Sequence, residues 1–175
     1  MSKKIFYWQL IGVIFSTTLG CILHFAYEWS GFYKPLAIFA AVNESVWEHL
    51  KIGFWPTFLF AIIEYPFIKH KSNNFFIGKA LSLFLIPLLI TTIFYTYTGI
   101  IGHHYLLVDI LTFYVSIILA EYICYRVILS YPRPIYCTVI AIIFIILLVV
   151  VFSSLTFNPI SIPLFMDPRT NSSGT

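Results

Sequence analysis

Long apolar runs separated by short polar breaks organise this chain. The runs cover residues 5–27, 44–68, 75–98, 105–129 and 135–153. At 1.5 Å per residue, each comes close to or exceeds the roughly 30 Å of a bilayer's hydrocarbon layer. The pattern predicts an all-α membrane protein with five transmembrane helices, a single integral membrane domain over residues 1–175 and a tail at 154–175. The breaks are Lys69-His70-Lys71-Ser72-Asn73-Asn74, Gly99-Ile100-Ile101-Gly102-His103-His104 and Ser130-Tyr131-Pro132-Arg133-Pro134, all of turn-forming composition. Residues 29–42 are too short to span and are broken by Gly31 and Pro35. They predict a short interfacial or re-entrant segment between helices 1 and 2, with Trp29, Phe32, Tyr33 and Phe39 at headgroup depth. Lys3 and Lys4 precede an apolar run that continues beyond Cys21 through Ile22, Leu23 and Phe25. That run is read as the first span, not as a cleaved leader.

Within the runs, a few polar or small positions carry information. Gly12, Ser16, Gly20, His24 and Glu28 recur every four residues. This spacing makes a narrow strip on one helix face where another helix can approach closely. Asn43 is a candidate N-cap for the second helix, with Ser45 and Glu48 as an alternative capping box. Pro56 kinks that helix and frees a carbonyl one turn earlier. Pro159, Pro163 and Pro168 make the tail non-helical, ending in a polar, mobile Asn171-Ser172-Ser173-Gly174-Thr175.

Composition agrees with the pattern and removes alternatives. A chain that is 60% hydrophobic and 10% charged is not a soluble domain. Its net charge of +3 is small and its lysines are scattered, which excludes nucleic acid as a partner and leaves the lipid bilayer. Cys21, Cys124 and Cys137 lie inside apolar runs without metal-like spacing and read as small buried hydrophobes. With the N-terminus inside, Lys3, Lys4, Lys69, Lys71, Lys79, Arg126 and Arg133 fall on the cytoplasmic side, while Lys34, Lys51 and Arg169 fall outside. The expected location is therefore the cytoplasmic membrane, multi-pass, with N-terminus in and C-terminus out.

That orientation sorts the reactive side chains. His24, Glu28, Glu44, Glu48, His49, His103 and His104 come out at the external helix ends. Asp109 lies one to two turns into the fourth span, and Asp167 is in the outer tail. The picture is an extracytoplasmic-facing polar pocket between helices one, two and four. His24 with Glu28, Ser45 with His49 and Glu44 with Glu48 all have helical i, i+4 spacing. His24, His49, His103 and His104 are therefore candidate ligands of a divalent metal such as zinc. Glu48 and Asp109 are the candidate catalytic acids, and Glu28, Asn43, Glu44, Ser45 and Trp47 the candidate binding residues. A metal with an open position would support a hydrolase acting on lipid or peptide. The same groups also suit an ion or small-solute transporter or binding subunit, with Asp109 as the deepest carboxylate and Trp29, Trp47 and Trp55 over a cationic solute. A structural partner of a membrane complex is the third reading. Against any site stand local pairings: Glu28 with Lys34 and Glu48 with Lys51 at the interface, Glu64 with Lys69 and Glu121 with Arg126 at the cytoplasmic ends.

Two stretches carry a family resemblance: His24-Phe25-x-Tyr27-Glu28-Trp29-Ser30-Gly31 and Val42-Asn43-Glu44-Ser45-Val46-Trp47-Glu48-His49-Leu50-Lys51. With Leu164-Phe165-x-Asp167-Pro168 in the tail, the chain resembles, over nearly its whole length, an uncharacterised family of small bacterial multi-pass membrane proteins. The family's Gly-Thr-Tyr-Gly type ending is replaced here by Arg169-Thr170-Asn171-Ser172-Ser173. The resemblance implies a bacterial inner-membrane protein and no particular activity. Glu44-Ser45, Trp47 and His49-Leu50 are also similar to a stretch of the progestin and adipoQ receptor family, membrane proteins with a zinc site and hydrolase relatives. That family has a His-x-x-x-His in a late helix, where the fifth run here has no histidine.

Overall fold

A computed structural model describes residues 3–168 and residue 170; Arg169 and the polar ending at 171–175 lie outside the described residues, as do residues 1–2. Five helices account for the apolar runs: α1 (Lys3–Trp29), α2 (Val46–Ile68), α3 (Phe75–Ile101), α4 (Leu106–Ile128) and α5 (Ile135–Phe157), with no strand among the described residues. Four of them, α1, α3, α4 and α5, are long and apolar enough to cross a membrane. The fifth, α2, has the same 23 residues as α4, but it carries Glu48, Lys51 and Glu64.

Burial explains how α2 tolerates those charges. Every residue from Leu50 to Thr57 is buried, so the helix is enclosed on all sides over two turns. α1 packs on one side of it and α3 on another, while α4 lies against both α3 and α1, and α5 against α3. By contrast, α5 buries only Ala141, Phe152 and Thr156, and Ile135, Val139, Ile140, Ile143, Ile146 and Val150 face outward.

The small-residue strip of α1 is where α2 docks. A Cβ on Gly12 would meet the Phe60 ring at 2.8 Å, and one on Gly20 would lie 2.7 Å from both the Ile52 carbonyl oxygen and the Phe113 ring. The Ile52 carbonyl is the one that Pro56, lacking an N–H, leaves without its helical donor. The strip is thus filled within the chain, by α2 and by Phe113 of α4.

Residues 30–45 fold back across the ends of α1 and α2. They contain one 3-10 turn, Lys34–Ile38. Ala37, Ala40 and Ala41 pack with Leu23, Tyr27 and Ile52, while Trp29, Phe32 and Tyr33 stay exposed. Ser45 is the N-cap residue of α2, and its backbone N–H donates to Asn43 Oδ1 at 2.9 Å. The capping box does not form. Glu48 instead accepts the Val42 N–H at 2.9 Å.

Of the expected local charge pairs, Glu48 with Lys51 forms, while those of Glu64 and Glu121 are replaced by a long-range pairing. Glu48 and Lys51 lie 2.7 Å apart and are buried, 3% and 0% exposed, and the Lys51 ammonium also donates to the Ala37 carbonyl at 2.6 Å. Glu64 and Glu121 do not pair with Lys69 and Arg126. Both bind Lys79, which is buried in the bundle. Lys69 lies over the Tyr65 ring, and Arg126 donates to the Tyr122 hydroxyl at 3.0 Å. Buried charges seek any partner the packed helices offer, whatever the sequence separation.

Candidate metal centre

The end of α1, the loop before α2 and the first turn of α2 bring three ligating side chains together. His24 Nε2 lies 3.9 Å from Glu44 Oε1, and His49 Nε2 lies 3.8 Å from Glu44 Oε2. One ligating atom from each of the three residues can be chosen so that all lie within 4.8 Å of one another. The two imidazole rings are tilted, with centroids 5.2 Å apart. All three residues are half-buried. Among the described residues this is the one such grouping of three.

A backbone contact sets the chemistry of one ligand. His49 Nδ1 is 2.9 Å from the Ser45 carbonyl oxygen. A carbonyl only accepts, so Nδ1 donates, and in the neutral ring the lone pair is then on Nε2, the nitrogen that faces Glu44. A lone pair and a carboxylate oxygen facing each other at 3.8 Å are both acceptors, and a cation between them resolves the conflict. A histidine whose other nitrogen is held by a backbone carbonyl is the usual arrangement for a metal ligand. Zinc bound at about 2.0–2.2 Å in tetrahedral geometry needs ligand atoms roughly 3.3–3.5 Å apart. The two histidine–carboxylate separations, to different oxygens of Glu44, are a few tenths of an ångström longer, and with one atom from each residue the three lie within 4.8 Å, so binding would draw the side chains together.

The surrounding contacts hold the loop in place. The Glu44 N–H donates to Asp167 Oδ2 at 3.3 Å, tying the tail to the loop. Trp47 stacks between Phe152 and Phe165, with centroids 4.8 and 4.6 Å away. It is buried in the core and clamps α5 and the tail to the start of α2. Asn43 orders the loop, and Ser45 is buried with its carbonyl on His49.

The other sequence candidates go elsewhere. Glu48 points inward to Lys51 and the Val42 N–H. Glu28 is exposed at the last turn of α1. His103 is exposed in the link between α3 and α4, its ring against Tyr105 at 4.5 Å. Asp109 is in the first turn of α4 and not deeper, because α4 begins at Leu106. It accepts from the Tyr97 hydroxyl and faces His104 Nδ1 at 3.0 Å, and the Tyr105 N–H reaches Tyr97 Oη at 3.3 Å. His104, Asp109 and Tyr97 thus form a second polar group, supplied by α3, α4 and the link between them.

What the fold and site define is an all-α chain of five helices, four of them capable of spanning a membrane, with a His/Glu/His group at one end. The chain belongs to a family of unknown function, DUF6512, whose model matches residues 1–175. No curated protein and no solved structure matches it.

Proposed function

We propose that the chain is an integral membrane protein with all five helices in the bilayer, and that it carries a divalent metal, most simply zinc, on His24, Glu44 and His49. The observation that carries this reading is the convergence of three ligating side chains from separate segments, one of them a histidine already oriented by a backbone carbonyl. Two imidazoles and one carboxylate leave a fourth position open, as catalytic zinc sites do. Zinc there acidifies a bound water and polarises a carbonyl, which suits hydrolysis of a lipid or peptide bond at the membrane surface. Asp109 with His104 is the acid–base pair at the same end of the bundle.

The exposed cations support the orientation. Lys3, Lys4, Lys69, Lys71, Arg126 and Arg133 are exposed at one end, against Lys34 at the other. That imbalance favours an N-terminus in the cytoplasm and a metal group on the extracytoplasmic face. On this reading α2 crosses the membrane shielded by its neighbours, and residues 30–45 lie at the interface.

Elemental analysis of detergent-purified protein supplemented with zinc tests the centre. About one zinc per chain is expected, lost in His24→Ala, His49→Ala and Glu44→Gln and kept in His103→Ala. Wild-type protein that takes up no metal, or His49→Ala protein that still holds it, rules the centre out. Release of product from phospholipid or peptide substrates by wild type and not by Glu44→Gln tests the hydrolase.

A further inference from the structure

At the opposite end of α1 a third polar group is buried among four helices. Lys79 of α3 binds Glu64 of α2 and, at 2.9 Å, Glu121 Oε2 of α4. Gln9 of α1 donates to Glu64 Oε2 at 2.9 Å and accepts from Lys79 at 3.3 Å, while Ser82 donates to Glu121 Oε1 at 2.6 Å. All five residues are at most 4% exposed. Cys124 packs against Gly78 beside them. The remaining helix, α5, has no charged residue.

The charges do not balance. Two ionised carboxylates against one ammonium leave one excess negative charge in a low-dielectric interior. Uncompensated, such a charge costs several kcal/mol. One positive charge must therefore be shared by the network. A bound alkali ion would need the centre of the oxygen cage, and the Lys79 ammonium already stands there. What remains is a proton on the carboxyl pair.

Buried hydroxyls lie in the bundle as well. His24, Gly20, Ser16 and Gly12 share one face of α1, with Gln9 less than one turn beyond. The span from His24 to Gln9 is about 22 Å along the helix. Between the two ends, the Ser16 and Ser116 hydroxyls are buried, each with no hydrogen-bond partner among the described residues; nearer the inner end the same holds for the Tyr125 hydroxyl. Buried hydroxyls in this state are the groups that recruit water.

We infer that Gln9, Glu64, Lys79, Ser82 and Glu121 form a proton-binding site inside the bundle, holding one exchangeable proton on the two carboxylates. The inference stands apart from the metal centre, since it shares no residue with it.

Infrared spectroscopy of the full chain in lipid vesicles at neutral pH tests this. Wild type is expected to show a protonated-carboxyl C=O band that shifts on transfer to D2O. Glu64→Gln and Glu121→Gln should each abolish it, because either change leaves one carboxylate balanced by Lys79. No band in wild type, or survival of the band in either variant, overturns the proposal. Loss of the wild-type band on adding Na+ at fixed pH also overturns it, since a metal cation would then be the occupant. Should a variant fail to fold, the wild-type band and its indifference to Na+ still decide the matter.

Discussion

Gly20 and Pro56 illustrate how much one contact constrains. Pro56 cannot donate to the Ile52 carbonyl, and the oxygen turns toward α1, where a Cβ on residue 20 would lie 2.7 Å away. That oxygen belongs to the backbone of a helix enclosed on all sides, so it cannot step aside as a flexible side chain would. Gly20→Ala is expected to destabilise the protein by about 1–3 kcal/mol. Gly99→Ala, in an exposed part of α3 with nothing within 4 Å, should be neutral or stabilise by up to ~1 kcal/mol through helix propensity. Thermal unfolding of both variants in one detergent checks the contrast; equal midpoints would contradict it. Lys51 is the other decisive residue. Its removal strands the buried Glu48, so Lys51→Met should cost about 3–5 kcal/mol. Adding Glu48→Gln should recover much of that loss, as the same unfolding assay reads.

Among the elements, the five helices were legible from apolar run length, because a hydrophobic stretch of that size has few other uses. The rank of α2 as the enclosed helix was not. Its run is as apolar as its neighbours' apart from three charges; Glu48 and Lys51 pair with each other, but the contacts that complete them come from other segments, the Ala37 carbonyl for Lys51 and the Val42 N–H for Glu48, as Lys79 does for Glu64. Sequence reasoning pairs charges with near neighbours, which is why Glu64 and Glu121 were expected on Lys69 and Arg126. His24 and His49 were legible as ligand candidates. Glu44 was expected only as a binding residue, although it shared a helical spacing with Glu48. The helix begins at Val46, so Glu44 sits on the loop and swings to the histidines while Glu48 turns inward. Asn74 shows the same limit at an element boundary. Its amide donates to the Val127, Ser130 and Tyr131 carbonyls, and its oxygen accepts the Arg133 N–H at 2.9 Å. One side chain at the start of α3 thereby closes the end of α4 and the whole link to α5. Asn74→Ala removes the partner of the Tyr131 carbonyl and of the Arg133 N–H, while the Val127 and Ser130 carbonyls keep donors from Ser130 and Asn73, and should cost about 1–3 kcal/mol. Faster proteolysis within residues 129–134 than elsewhere would accompany it; cleavage unchanged from wild type would argue that the link is held by other contacts.

Across the whole molecule, the two polar groups sit at opposite ends of one helix face and respond differently to solution conditions. The outer ligands come from α1, the 30–45 loop and α2, so a bound metal ties three segments that otherwise meet mainly through small apolar contacts. A ligand that binds only the folded state stabilises it by about 4 kcal/mol at a thousandfold excess over its Kd. Zinc should therefore raise the unfolding midpoint of wild type and leave that of Glu44→Gln where it was. Protons compete with the metal for imidazole, because only the neutral ring ligates. The zinc-induced rise should accordingly be full on the alkaline side of the imidazole range and shrink as the pH falls through it. His103→Ala should show the same shrinkage as wild type, since His103 stands away from the group. A zinc shift that persists in acid, or that survives Glu44→Gln, would place the metal on other residues. The difference between wild type and Glu44→Gln at each pH isolates the outer group, because Glu64, Lys79 and Glu121 are common to both proteins and any effect of the inner network cancels.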